Sequence, residues 1–181
     1  MLYLLHELED KLGYSFQDID LLRRALTHPS YAAEKKVDRH NQRLEFLGDA
    51  VLQLAVTRRL FLEHPDADEG VLSRLRAAVT REEALAEVAG KLDLGKYIRL
   101  GRGEKMTGGH ERSSTLADCV ESIFGAAYID GGYDAAFQVV ERLTGFLVDR
   151  GEELLVESNP KGKLQEITQE RLHLRPVYEV V

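Results

Sequence analysis

Two segments of this chain, QRLEFLGDAVL at 42–52 and TLADCVESIFGA at 115–126, each set a pair of acids one helical turn apart inside an otherwise apolar pattern. Glu45 and Asp49 are spaced i,i+4 and Asp118 and Glu121 i,i+3, so on a helix both members of each pair lean to one face. Leu44, Phe46, Leu47, Val51, Leu52 and Leu54 surround the first pair, and Leu116, Ala117, Val120, Ile123 and Phe124 the second. Helices apolar nearly all round are normally buried. A buried carboxylate is costly unless it is paired or ligates a cation, and few basic residues lie near these four in sequence. The competing reading of either pair alone is a solvated helix face, with Gly48-Asp49 as a break and Asp49 as an N-cap. Two such pairs in apolar surroundings favour a divalent-cation site.

A length of 181 residues with 44% hydrophobic content supports one full domain and a fragment of another. No apolar run approaches the roughly 18 residues of a membrane span, and Glu7, Glu9 and Asp10 stand where a signal peptide carries positive charge. A soluble, cytoplasmic protein with no membrane partner is expected. Cys119 is the single cysteine, which excludes an internal disulfide and reads as a small core residue. The net charge of −7 opposes a polyanionic partner for the surface as a whole, yet binding depends on local patches. Basic residues gather at Arg23-Arg24, Lys35-Lys36, Arg58-Arg59, Arg74 with Arg76, and Arg99, Arg102 and Lys105. Such runs permit RNA binding, although most are ordinary solvated faces.

The periodicity predicts helices at 2–12, 18–25 and 41–63, the last ending before His64-Pro65. Thr27-His28-Pro29-Ser30 reads as a break. Residues 66–70 offer caps for a helix through 78, and Thr80 with Glu83 resembles a capping box for another through 89. The Gly-rich, charged stretch 92–109 reads as a loop, helix resumes over 112–129, stops at Gly131-Gly132, and restarts for a run to about 156. The first 157 residues are therefore expected to be all-α. Composition shifts at 157–160, and the last 24 residues carry net +1 against −8 for the rest. Residues 163–172 are helical in character and 176–181 alternate like a strand, too little to bury a core.

At this point the residues resemble a known family. RLEFLGDAVL at 43–52 is similar to the signature of ribonuclease III, the double-stranded-RNA endonuclease, and DEG at 68–70, LGRGE at 100–104 and LADCVESIFGA at 116–126 match its downstream blocks in order. NPKGKLQEITQ at 159–169 resembles the opening helix of the double-stranded-RNA-binding domain that follows the nuclease domain. The resemblance implies a nuclease domain at 1–157 and the truncated start of that α+β RNA-binding domain at 158–181. It implies that Glu45, Asp118 and Glu121 ligate Mg²⁺, with Mn²⁺ as a substitute, and that Asp49 and Glu121 are catalytic. Glu69 and Glu104 fall on further acids of the family's active-site valley, though a helix first turn and a solvated loop explain them equally well. Gln165 and Gln169 would meet the RNA minor groove. Family members are homodimers that cut each strand of double-stranded RNA, leave 5′-phosphate and 3′-hydroxyl ends, and process ribosomal and messenger precursors. Phe46 is a candidate for joining protomers, against a plain core role.

Two departures stand out. Gln42 occupies a position where the family usually has Glu, removing one charge, and the RNA-binding domain stops at its first strand. The four core acids are intact, so activity is expected to be retained. Two other classes compete: a non-catalytic RNA-binding or assembly module on the same fold, which could lose the acids freely, and a carboxylate-bridged metalloprotein, which would carry Glu-x-x-His pairs. None of His6, His28, His40, His64, His110 and His173 supplies such a pair beside these acids, and most read as surface residues.

Overall fold

A computed structural model describes residues 2–158, together with 164, 165, 168 and 169. The described residues form helices α1 (Leu2–Leu12), α2 (Ile19–Ala25), α3 (Pro29–Lys35), α4 (Gln42–Glu63), α5 (Glu69–Thr80), α6 (Glu82–Leu92), α7 (Arg102–Met106), α8 (Ser113–Asp149) and α9 (Gly151–Ser158). Among them there is no strand, only an isolated parallel bridge between Thr27 and Arg99, so the expected all-α nuclease portion is what forms. The strand expected at 176–181 lies outside the described residues, while Gln165 and Gln169 are described, exposed and helical. No described helix is long and apolar enough to cross a membrane.

The core is built around the crossing of α4 and α8, with α2 and α6 packed against α8 and α5 against α4. Leu52 and Leu60 of α4, Ile123, Phe124 and Leu147 of α8, and Leu8, Leu12 and Leu22 from the first two helices are fully buried. Burying each side chain of this size contributes about 1.5–3 kcal/mol. Capping sets several ends: Asp18 accepts the Asp20 N–H at the start of α2, and Asp68 accepts the Val71 N–H at the start of α5.

The pattern of breaks differs from expectation in four places. The stretch 27–30 ends α2 at Ala25 as expected, but Pro29 also opens a further helix, because at the first position its missing N–H has no partner to lose; the His28 side chain caps α3. The expected Thr80–Glu83 capping box does not form. Thr80 belongs to α5 and donates its hydroxyl to the Arg76 carbonyl, and α6 starts from Arg81 without a side-chain cap. The 92–109 stretch holds a short 3₁₀ turn at Leu94–Lys96 and the helix α7. The expected stop at Gly131-Gly132 is present inside α8, where Gly132 takes φ 78°, ψ −171°, a non-helical conformation open in practice to glycine alone, so α8 is two helices meeting at a kink; the unexpected break is a second one, at Arg150.

Candidate metal centre where two helices cross

Glycines bring α4 and α8 into backbone contact. A Cβ at Gly48 would lie 1.8 Å from the Glu121 carbonyl oxygen, and one at Gly125 would lie 2.1 Å from the carbonyl oxygen of Leu44. Gly48 is thus a packing residue inside a continuous helix, and the alternative of a break with Asp49 as N-cap does not hold. Glu45 and Asp49 flank this contact on α4, Asp118 and Glu121 on α8. Glu45, Asp118 and Glu121 are half-buried, whereas Asp49 is exposed and accepts a hydrogen bond from Gln53 Nε2 at 3.4 Å. Beneath them, buried Asn41 donates to Cys119 Sγ at 3.9 Å, and the Ser122 hydroxyl donates to the Asn41 carbonyl at 3.4 Å.

Glu121 feels the other three carboxylates, and Glu45 feels Asp118. Burial, then repulsion from Asp49, Asp118 and Glu45, pushes the Glu121 carboxyl up to about 7. Burial and Asp118 raise Glu45, while burial and Glu82 raise Asp118 against an opposing influence of His28. No lysine or arginine is among the charges acting on these three. An uncompensated set of hard oxygen donors on two packed helices fits a divalent cation such as Mg²⁺. The convergence is one of backbone positions. Among the described residues no three His, Cys, Asp or Glu side chains already stand as a cation cage, so ligation requires rotation of the side chains.

This raised carboxyl carries a stability signature. Glu121 binds its proton more tightly in the folded chain (about 7) than at its ordinary value of 4.5. Its stabilising contribution is full below a pH of about 4.5 and is lost as pH rises through about 7. With divalent cations chelated, the thermal midpoint is expected to fall between about pH 5 and pH 8. The change is about 1–2 kcal/mol once solvent screening of a half-buried group is allowed for, or roughly 2–6 °C. Glu121→Gln should flatten the slope; the same slope in the variant would locate its source elsewhere.

The remaining expected site residues are dispersed. Glu69, in the first turn of α5, accepts the Ser73 hydroxyl at 2.7 Å and lines a cleft of about 210 Å³ with Phe61 and Arg76. The stretch of α4 from Glu45 to Phe61, roughly 24 Å of helix, keeps it away from the four acids of its own chain. Glu104, in the first turn of α7, pairs with Arg112 at 3.0 Å. It also acts on His28, and so borders the Asp118 side.

His28 is a neighbour of the acids and not the plain surface histidine expected from its sequence. Its main-chain N–H donates to the Arg99 carbonyl at 3.1 Å, and its Nδ1 accepts the Ser30 N–H at 3.2 Å. A main-chain N–H can only donate, so in the neutral ring the proton sits on Nε2. Burial holds its pKa below the usual value against Glu104 and Asp118. The signal for it is the Pro-Ser that follows, which marks a helix start as readily as a break. Phe46 is likewise no core residue: it is 83% exposed, with Leu54, Phe61 and Leu62 also exposed on α4.

Comparison with known proteins agrees with this geometry. Residues 18–145 match the family model described as ribonuclease-III-like. The chain is 49% identical to Ribonuclease 3 of Thiobacillus denitrificans over 96% of its own length and 75% of that protein. It is 46% identical to Ribonuclease 3 of Oleidesulfovibrio alaskensis over 97% of its length and 77% of that protein. A solved structure of the nuclease domain of ribonuclease III from Campylobacter jejuni, concerned with flexibility in a region of dimer formation, superposes with a TM-score of 0.67. It is 38% identical and covers 85% of this chain and 97% of that one. With its matched region spanning the crossing and its acids, the chain belongs to the ribonuclease III family and is an endoribonuclease.

Proposed function

We propose that this endoribonuclease hydrolyses double-stranded RNA with Mg²⁺ held by Glu45, Asp118 and Glu121, Asp49 completing the cluster as a catalytic residue beside Glu121. The observation that carries the reading is the set of carboxylates at the α4–α8 crossing, of which Glu45, Asp118 and Glu121 are raised by burial first and by neighbouring acids second, with no lysine or arginine opposing. When bound, the cation supplies Lewis-acid activation of water and neutralises charge on the phosphoryl group, a role Mn²⁺ can share. Half-burial of Glu45, Asp118 and Glu121 keeps bulk water from screening them, and exposed Asp49 marks the side open to a phosphodiester. Hydrolysis without a side-chain nucleophile, breaking the bond to the 3′ oxygen, leaves 5′-phosphate and 3′-hydroxyl ends.

The active form in this reading is a homodimer, each protomer cutting one strand of an A-form duplex. Phe46, Leu54, Phe61 and Leu62 give α4 an uncovered apolar face of the kind that a second copy buries. Residues 1–157 form the nuclease domain and 158–181 the start of an RNA-binding domain, with Gln165 and Gln169 toward the minor groove. Processing of ribosomal and messenger precursors in the cytoplasm is the corresponding role.

Incubation with long duplex RNA, with the single strand of the same sequence, and with chelator tests this reading. Cleavage of the duplex alone, dependent on Mg²⁺ or Mn²⁺ and leaving 5′-phosphate ends, is the expected result. A duplex bound yet left intact in either metal overturns it. Gln42 is exposed at the first position of α4, so Gln42→Glu is expected to change the rate by no more than about five-fold, as for a surface charge. Cleavage by that variant with none by the native chain would mean that the missing charge is essential.

A further inference from the structure

On a chain of net charge −7, one corner gathers four arginines, and among the described residues only Arg23 of them pairs with a carboxylate. Arg24, in the last turn of α2, donates from Nε to the His40 carbonyl at 3.1 Å. Burial, then the charges of Arg39 and Arg43, lowers its pKa. Arg23, Arg24, Arg39 and Arg99 line a cleft of about 230 Å³ together with Thr27 and Val37. The two acids on its rim are engaged: Asp18 caps α2, and Asp20 pairs with Arg23. No carboxylate pairs with Arg24, Arg39 or Arg99 among the described residues. Arg99 is held over the Tyr31 ring at 4.3 Å, donates from one terminal nitrogen to the Thr27 hydroxyl at 3.2 Å, and has a buried Nε without a partner.

Like charges kept together at the edge of a cleft are relieved by an anion, and the planar guanidinium fork matches phosphate oxygens. The place of the cleft says which phosphate. Thr27, in its wall, is followed directly by His28, which interacts electrostatically with Asp118 and Glu104, and the His40 carbonyl that holds Arg24 immediately precedes Asn41 under the acid cluster. We propose that Arg24, Arg39 and Arg99 form a clamp for a backbone phosphate of the RNA outside the scissile linkage, holding the duplex in register beside the acids. The clamp rests on the nuclease reading above.

The test is duplex-RNA binding by the full chain, with chelator present to prevent cleavage, measured by anisotropy from about 50 to 250 mM salt. Arg39→Gln and the double variant Arg24→Gln/Arg39→Gln are compared with Lys91→Gln, which removes the same charge from the end of α6. Loss of the clamp in the double variant should flatten the slope of log affinity against log salt by about 1 and weaken binding several-fold, with Arg39→Gln alone giving a smaller change of the same sign, while Lys91→Gln moves the slope much less. Slopes unchanged in the arginine variants, or lowered equally by Lys91→Gln, overturn the clamp while native binding leaves the nuclease reading standing. Failure of the native chain both to bind and to cut duplex overturns both. If inorganic phosphate raises the thermal midpoint of the native chain alone and duplex binding is unaffected by the substitutions, the cleft takes free phosphate and the RNA clamp is wrong.

Discussion

Glu121→Gln is expected to reduce duplex-RNA cleavage by roughly 10³-fold or more, about 4 kcal/mol of barrier, with the fold intact. Glu121 is the most perturbed of the four acids and the one on which all the others act. The amide keeps nearly the same volume and removes the charge that would hold a cation, so affinity for Mn²⁺, read by paramagnetic resonance, should fall together with rate. Relieving repulsion between half-buried carboxylates should leave the variant at least as stable as the native chain when divalent cations are absent. Undiminished cleavage, or lost cleavage with unchanged Mn²⁺ affinity, would remove Glu121 from the cation site.

The largest effect on stability is expected at the crossing. Gly48→Ala puts a carbon 1.8 Å from the Glu121 carbonyl oxygen, a main-chain atom that no side-chain rotation can move aside. Helix propensity alone would favour alanine by about 1 kcal/mol. Overpacking must overwhelm that gain and separate the helices, so a net loss of about 3 kcal/mol or more is expected in urea unfolding, with cleavage lost as well. Gly90, inside α6, is the internal control: a Cβ there would meet nothing within 4 Å, and alanine should stabilise by about 0.5–1 kcal/mol. If alanine is tolerated equally at both positions, the two backbones do not touch and the gathering of the acids loses its cause.

Much of this is legible in the sequence because it is local. Apolar periodicity marks α1, α2 and α4 close to their observed limits, and the acid pairs stand out because each lies within a turn of one helix. What escapes depends on neighbours distant in sequence. Pro29 reads as a breaker until His28 is seen capping the helix it begins, and α7 is too short to carry a period. Phe46 resembles core because its helix is apolar on most sides, and only the packing of α8 shows which side is covered. The arginine cleft joins Arg24, Arg39 and Arg99, brought together by the Thr27–Arg99 bridge, and no pattern in the residues announces that bridge.

The contact of Gly48 with α8 has one more consequence. A joint made of main chain alone contains no rotamers to reshuffle, so the acids inherit their spacing from the polypeptide itself. Drift in the surrounding hydrophobic residues can retune how firmly the domain holds together while the seat of its chemistry keeps its dimensions.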